Sequence, residues 1–235
     1  MLTDLDLEVE RGAAYALLGR NGSGKTTLLR TLLGMYRADR GTIRVLGRDP
    51  HRDRVAVVRR LGHVPAQLPA YEGLRVGEFL RFVSRFHEGW DDSYARHLSA
   101  RFELPEDARI RSLSHGTRTK VSVLAALSHR PDLLFLDDPT VGLDAVVLGE
   151  FFQTLAEISR KEGTTILIAS HNVDEVERFA THVGFLSDGR IVLSRSLADV
   201  RSSCRPVRAT FRDDVPETAR SVGVFAPQVT GRRIA

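Results

Sequence analysis

The strongest constraint on the fold is the glycine-rich stretch GRNGSGKTT at residues 19–27. It follows an apolar run, AAYALLG, that is typical of a buried strand, and it precedes TTLLRTLLGMY, which has helical spacing. A strand, a glycine-rich turn and a helix in this order form a nest of backbone N–H groups at the positive end of the helix dipole, which suits a phosphate. The stretch therefore predicts an α/β fold with a phosphate site after a strand.

Two side chains of this loop are predicted to act on a nucleotide. Lys25 is one of only three lysines among 34 basic residues, and a compact ammonium group suits the terminal phosphates. Thr26 supplies a hydroxyl for Mg²⁺. A chance glycine-rich turn is the alternative, but the flanking strand and helix favour a phosphate loop. The predicted phosphate-binding residues are Gly19, Arg20, Asn21, Gly22, Ser23, Gly24, Lys25, Thr26 and Thr27.

A second motif, LLFLDDP at residues 133–139, joins an apolar strand to two carboxylates. Continuous apolar character is typical of a parallel strand buried on both faces, and ligands collect at the carboxyl end of such strands. Asp137 is therefore predicted to help hold Mg²⁺. Asp138 is either a second catalytic carboxylate or a capping group in a D-D-P turn, since that tripeptide is also good turn chemistry.

Strands and helices alternate along most of the chain, which predicts a mostly parallel sheet covered by helices on both faces. Alternating residues predict a half-exposed strand in LTDLDLEV, and GTIRVLGRDP is predicted to form a short strand that ends in a turn. Asp188-Gly189 predicts a two-residue hairpin and hence an antiparallel edge. Residues 68–130 have helical patterns with little strand character, so we expect an inserted helical subdomain within a domain of residues 1–202. Residues 203–235 are expected to form a short extension.

Composition limits the possible classes of protein. Hydrophobic residues make up 42% and charged residues 27% of the 235 residues, as in ordinary globular proteins. The single cysteine excludes an internal disulfide framework. No apolar run approaches the length of a membrane span, so the cytosol is the expected compartment. The net charge of +4 indicates a mild basic excess with no dominant block, which is weak support for nucleic acid binding and is only permissive of a membrane surface.

Three further motifs follow the phosphate loop in a specific order: LSHGT at 113–117, VGLD ending at Asp144, and His171 after the strand TTILIAS. Together with the acidic strand, they resemble the ATP-binding subunit of an ATP-binding-cassette (ABC) transporter over nearly the whole chain. The resemblance identifies these motifs with the signature loop, the D-loop and the switch histidine. It implies ATP and Mg²⁺ as ligands and ATP hydrolysis, with Asp138, His171 and Lys25 as catalytic residues.

The resemblance also implies an assembly. Two ATP-binding subunits would meet head to tail, so that Ser114 and Gly116 of one contact the γ-phosphate held by the other. Asp144 of the D-loop is a further expected nucleotide-binding residue. Ser114 can also cap the helix that follows it, so its hydroxyl and the helix N-terminus would both face an anion. A separate integral membrane permease would hold the subunit at the inner face of the cell membrane. No nucleic acid partner is expected.

The permease is expected to dock between the sheet and the helical subdomain, at residues 65–86. Tyr71, Phe79 and Phe82 are candidate contacts there, and they are equally good core residues. The absence of a binding-protein signature leaves the substrate undefined, although export is favoured.

Four places depart from the family pattern. Asp138 stands where glutamate is usual, which moves the carboxylate back by roughly 1 Å. The usual place of the magnesium-sensing glutamine holds Ala66, so Gln67 is the candidate ligand one residue later. His115 and Thr117 replace the usual residues of the signature. Tyr15 is expected to belong to the core rather than to stack on adenine.

Two alternatives remain open at this stage. A soluble ABC ATPase that acts on nucleic acid or ribosomes is disfavoured, because the chain has no coiled-coil arm and no second cassette. A non-hydrolysing regulatory half of a heterodimer is compatible with Asp138, since a partner with full motifs would supply the second site.

Overall fold

The structure, a computed structural model, describes residues 2–66, 71–140 and 145–203. A six-stranded sheet with the strand order β2-β3-β4-β1-β5-β6 organises these residues. The strands are β1 (Ala14–Leu18), β2 (Leu61–Val64), β3 (Leu133–Asp137), β4 (Thr165–Ser170), β5 (His182–Ser187) and β6 (Arg190–Ser196). The helices are α1 (Lys25–Leu32), α2 (Arg54–Val58), α3 (Val76–Ser84), α4 (Asp92–Arg101), α5 (His115–Leu127), α6 (Ala145–Glu162), α7 (Val173–Val176) and α8 (Leu197–Ser203), with a 3₁₀ turn at Ile110–Ser112.

The predicted α/β fold is confirmed. All neighbouring strand pairs are parallel except β5 and β6, which form the antiparallel edge. Their hairpin turns on Asp188 and Gly189, both with positive φ, as the two-residue turn requires. Helices α3, α4 and α5 lie between β2 and β3 in the chain and form the inserted helical part.

Strand β3 is apolar at successive residues, without alternation, because both of its faces are buried. Leu134 and Leu136 pack into one core cluster, with residues of α5, while Leu133 and Phe135 pack into the other, with residues of α1. Both faces of the strand are therefore covered, as expected for a central parallel strand. Tyr15 of β1 is 2% exposed, which confirms that it belongs to the core.

The two N-terminal strand predictions are wrong. Residues 2–10 contain no strand, and residues 41–50 hold only an isolated bridge between Val45 and Arg48. The alternation itself was informative, because Leu5, Leu7 and Val9 are partly buried against the core while the residues between them are exposed. A strand also needs a neighbouring backbone in register, and alternation does not report whether one is present.

Strand register brings the functional segments together. Leu18 of β1 pairs with Ser170 of β4, and Asp137 of β3 pairs with Ala169 of β4. The carboxyl ends of three neighbouring strands therefore coincide, which places the glycine-rich loop, the acidic pair and His171 at one edge. The predicted 203–235 extension lies outside the described residues beyond Ser203.

Candidate functional site

The loop between β1 and α1 depends on its glycines. Gly22 and Gly24 have φ values of 83° and 109°, which side chains rarely tolerate. A Cβ atom at Gly19 would lie 2.5 Å from the Leu186 carbonyl oxygen and 2.6 Å from the Ser23 hydroxyl. Gly24 is the N-cap of α1 and has no side chain to offer, and among the described residues no side chain bonds to the first N–H groups of the helix. The loop thus leaves the helix N-terminus open to an anion.

The side chain of Lys25 lies inside the same loop and bonds to its backbone. Its side chain is 5% exposed, and Nζ donates to the carbonyl oxygens of Gly19 at 2.8 Å and Arg20 at 3.3 Å. Nζ also lies 4.0 Å from Oδ2 of Asp138. A buried ammonium group held by its own loop is positioned to meet phosphate oxygens in that loop.

Thr26 and Asp137 meet across the gap between α1 and β3. The Thr26 hydroxyl donates to Oδ1 of Asp137 at 3.0 Å, and Asp137 is 5% exposed. Burial raises the pKa of Asp137 above its ordinary value, and the hydrogen bond from Thr26 opposes that rise. A hydroxyl and a carboxylate are oxygen ligands that Mg²⁺ prefers, so this pair fits the predicted metal.

Asp138 lies between Lys25 and His171. Its Oδ1 is 3.0 Å from Nδ1 of His171, and its side chain is 19% exposed. The backbone φ of Asp138 is 42°, a left-handed conformation, while its N–H donates to the Ala169 carbonyl and continues the sheet. Among the described residues, no backbone N–H donates to its carboxylate. The side chain thus points to Lys25 and His171, rather than closing a turn.

Ser114 lies at the start of α5. Its Oγ accepts a hydrogen bond from the Thr117 N–H at 3.1 Å, which confirms the predicted helix cap. The Thr117 hydroxyl is 2.9 Å from the same oxygen, whereas Gly116 is buried. Ser114 itself is exposed, and its hydrogen bonds stay within this first turn. The structure therefore does not join Ser114 or Gly116 to the phosphate loop of the same chain.

Two predicted site residues, Gln67 and Asp144, lie outside the described residues. The remaining predicted residues fall into two groups. The loop 19–27 with Asp137, Asp138 and His171 forms one cluster, and the N-terminus of α5 forms a second.

Sequence reasoning missed two residues beside Asp137. Arg30 and His63 line a cavity of about 350 Å³ together with Asp137. Arg30 is one helical turn after Thr26, a spacing that could have identified it, and its guanidinium donates to the Tyr36 hydroxyl at 3.2 Å. His63 lies on β2, paired with Phe135 in the neighbouring strand. Burial lowers its pKa to about 4, with a further contribution from Arg30.

The aromatic residues of the predicted docking groove divide between core and surface. Phe79 is 5% exposed, whereas Phe82 is 39% and Phe86 is 67% exposed. Tyr71 contacts the rings of Phe79 and Phe82, and Phe82 contacts Phe86. The four rings thus form a continuous row that runs from the buried Phe79 of α3 to the exposed Phe86, which follows α3 in the chain.

A mostly parallel sheet with a phosphate loop after β1 and a carboxylate after β3 defines a phosphate-loop nucleotide-binding protein. The family model described as ABC transporter matches residues 2–141. The chain belongs to the ABC transporter family and has the fold of its nucleotide-binding subunits. A second model, described as AAA domain, putative AbiEii toxin, Type IV TA system, matches residues 106–177.

Curated relatives and solved structures agree with this assignment. The chain is 33% identical to the ABC transporter ATP-binding protein YtrB of Bacillus subtilis over 92% of its own length and 73% of YtrB. It is 31% identical to the bacitracin transport ATP-binding protein BcrA of Bacillus licheniformis, over 80% of its own length and 62% of BcrA. It therefore spans less than two thirds of that second relative.

Two solved structures have the same fold. An ATP-binding subunit of an ABC transporter superposes with a TM-score of 0.77 at 27% identity, covering 86% of this chain and 85% of the other. The dimeric bacterial ABC transporter cassette MJ0796 gives a TM-score of 0.75 at 21% identity, covering 83% and 90%. Within the described ranges, no helix is both long and apolar enough to cross a membrane.

Proposed function

We propose that this chain is the ATP-hydrolysing subunit of an ABC transporter that works through a separate membrane permease. The observation that carries the proposal is the line of contacts from Lys25 to Asp138 to His171, beside the Thr26–Asp137 pair. It combines a phosphate-binding cation, a magnesium-ligand pair and a carboxylate held by an imidazole in one cluster. Residues 1–202 would be the ATPase domain, with the helical subdomain at about 68–130.

Each residue of the cluster has a separate task in this proposal. The open N-terminus of α1 and Lys25 would bind the phosphates, and Thr26 and Asp137 would hold Mg²⁺, with Gln67 as a third candidate ligand. When bound, Mg²⁺ neutralises charge on the phosphate oxygens. The carboxylate of Asp138 would orient a water molecule and accept its proton, while His171 holds that carboxylate through Oδ1.

The second cluster is assigned to a partner subunit. Ser114 is exposed at the N-terminus of a 13-residue helix, where backbone N–H groups and the helix dipole favour an anion. Because Ser114 does not join the phosphate loop of its own chain, we propose that it contacts the γ-phosphate bound by a second ABC subunit. Gly116 and Asp144 would lie in the same interface. The MJ0796 cassette, which is described as dimeric, has the same fold and supports this assignment.

The row of aromatic rings along and after α3 is the proposed permease contact. Phe82 and Phe86 expose large apolar surfaces, and Tyr71 connects Phe82 to the buried Phe79, so the exposed rings are anchored in the core. The permease would hold the chain at the cytoplasmic face of the membrane. Export is the favoured direction, because the relatives include ATP-binding proteins named for Nod factor export and for bacitracin transport.

One observation favours a second candidate, the regulatory half of a heterodimer. Asp138 has a shorter side chain than the usual glutamate, and its Oδ2 is 4.0 Å from Lys25 Nζ. A carboxylate drawn towards Lys25 in this way is less free to orient water. In that case a partner with a full set of motifs would supply the working site.

The deciding experiment measures ATP turnover by the chain reconstituted with its permease in lipid. Wild type and the His171→Ala variant are compared at saturating Mg-ATP. The proposal expects turnover in wild type and a loss of about 100-fold in the variant, because His171 holds the catalytic carboxylate. Equal rates for the two proteins would contradict the assigned mechanism.

A further inference from the structure

Residues 37–60 concentrate positive charge. They contain eight arginines and three aspartates, a net charge of +5, in a chain whose total is +4. The expectation of a basic excess without a dominant block is therefore wrong, because acidic residues slightly outnumber basic ones elsewhere. All eight arginines are solvent-exposed.

Five of these eight arginines form no ion pair within the part of the chain that the structure describes. Ion pairs join Arg52 to Asp49, Arg59 to Glu88 and Arg60 to Asp132. The other five form no ion pair with any described residue: Arg37, Arg40, Arg44, Arg48 and Arg54. This segment thus carries positive charge that the described part of the chain does not neutralise.

Exposed apolar side chains lie on α2 between Arg54, its first residue, and Arg59, which follows it. Val57 is 1% exposed and anchors the helix, whereas Val55 and Val58 are 69% and 36% exposed. The two exposed valines are three residues apart, so they share one helix face. Arg54 and Arg59 flank them in the sequence.

The end of α1 adds to the same surface. A Cβ atom at Gly34 would lie 2.0 Å from the Pro50 carbonyl oxygen, so the chain after α1 runs directly beside the chain that leads into α2. Met35 and Tyr36 follow Gly34 and are 49% and 46% exposed, and they also line the edge of the cavity beside Asp137. We call residues 35–37 and 52–59 the basic apolar face.

We infer that the basic apolar face binds the anionic headgroups of a lipid surface directly. Arginine forks match phosphate oxygens, and valine, methionine and tyrosine side chains can enter the boundary between headgroups and acyl chains. The permease contact proposed above would bring the chain to a membrane, whereas this face would add a lipid contact of its own. The Arg59–Glu88 pair, two residues from Phe86, makes this face continuous with the end of the aromatic row.

The distribution of charge favours lipid over other acidic partners. Two of the unpaired arginines, Arg37 and Arg54, lie on this face at positions well separated in the chain, and such dispersed charge suits a delocalised anionic surface better than a set of paired acidic residues. Single-stranded nucleic acid is bound by several aromatic platforms, and Tyr36 is the only aromatic residue of the face.

The test is sedimentation of the full chain, without nucleotide, with vesicles of phosphatidylcholine alone or mixed with phosphatidylglycerol. We expect binding to the anionic vesicles only, weakened by salt. Arg37→Glu with Arg54→Glu should weaken that binding by about tenfold or more. The matched control, Arg96→Glu with Arg195→Glu, makes the same charge change on α4 and on β6 and should bind much more tightly than the face variant.

A second variant tests the apolar part. Val55→Ser with Val58→Ser keeps every charge and should weaken vesicle binding by roughly fivefold. Melting curves matched to wild type would show that all variants are folded. Equal losses in the face and control variants, or equal binding to neutral vesicles, would overturn the inference. Binding to a glutamate-rich peptide but not to anionic vesicles would also overturn it and assign the face to an acidic protein.

Discussion

The imidazole Nδ1 of His171 lies 3.0 Å from Oδ1 of Asp138, although 33 residues separate the two in the chain. The contact exists because β3 and β4 are parallel neighbours and Asp137 pairs with Ala169. Asp138, one residue after Asp137, and His171, two residues after Ala169, therefore meet at the ends of these strands.

This contact makes Asp138 the most informative position for mutation. We predict that Asp138→Glu raises ATP turnover of the reconstituted complex by about tenfold, because the longer side chain moves the carboxylate forward by roughly 1 Å. Asp138→Asn should lower turnover and leave ATP binding in place, because an amide cannot accept the proton.

The backbone of Asp138 provides a control on this comparison. Its φ of 42° suits aspartate and asparagine better than glutamate, so Asp138→Glu should also cost about 1 kcal/mol of folding free energy. Thermal melting measures that cost separately from turnover. If Asn matches wild-type turnover and Glu is slower, Asp138 is structural and the chain is an ATP-binding regulator.

Lys25→Ala is predicted to abolish Mg-ATP binding in a calorimetric titration, with a loss of at least about 100-fold in affinity. The reason is that Lys25 is the buried cation of the glycine-rich loop, and in the proposed function its ammonium group would form charge-assisted bonds with phosphate. Lys161→Ala removes an exposed lysine of α6 and is the matched control. Unchanged affinity in Lys25→Ala would remove the phosphate-loop assignment.

Ser114→Arg is predicted to leave ATP binding to the monomer nearly intact and to prevent ATP-dependent dimerisation. Ser114 is exposed, and its hydrogen bonds stay within α5, so a bulky cation there should disturb a partner before it disturbs its own nucleotide. Loss of the cap should also cost about 1 kcal/mol of folding free energy.

Analytical ultracentrifugation with and without ATP measures the result. Ser93→Arg, at an exposed serine in the first turn of α4, is the control and should dimerise like wild type. Normal ATP-dependent dimers of Ser114→Arg would rule out the head-to-tail arrangement for this chain.

We predict that the fold loses stability in acid because of the buried His129. Burial, followed by the neighbouring His87, lowers the pKa of His129 from 6.5 to about 4. The rings of the two histidines stack with centroids 3.9 Å apart. Because the unfolded chain binds the proton more readily, this contribution to stability is complete above pH 6.5 and is lost as the pH falls towards 4.

Urea denaturation at neutral and acid pH measures that loss. His129→Phe keeps an aromatic ring without a titratable group, so its decrease in unfolding free energy between pH 7 and pH 4 should be smaller than that of wild type by about 2 kcal/mol. The exposed His97→Phe of α4 should behave as wild type does. An equal acid loss in His129→Phe and wild type would contradict the prediction.

Much of the fold could be predicted from local patterns. The apolar run 133–137 became β3, the periodic segment 145–162 became α6, and Asp188-Gly189 became the hairpin turn. These features were predictable because each depends on residues close together in the chain. The strand and the helix follow from the periodic spacing of apolar side chains, and the turn follows from the backbone conformations that Asp and Gly allow. The N-terminal segment shows the limit of such patterns, since its alternating burial was predicted correctly but its strand was not.

The sequence by itself determined the phosphate loop, because Gly22 and Gly24 take positive φ values for local steric reasons. Tertiary structure decided which distant residues meet that loop. The Thr26–Asp137 bond, the placement of Asp138 between Lys25 and His171, and the cavity shared by Arg30 and His63 all depend on strand order and register. These contacts join residues far apart in the chain, so no local spacing specifies them. They form only when packing of the apolar faces fixes the order and register of the strands.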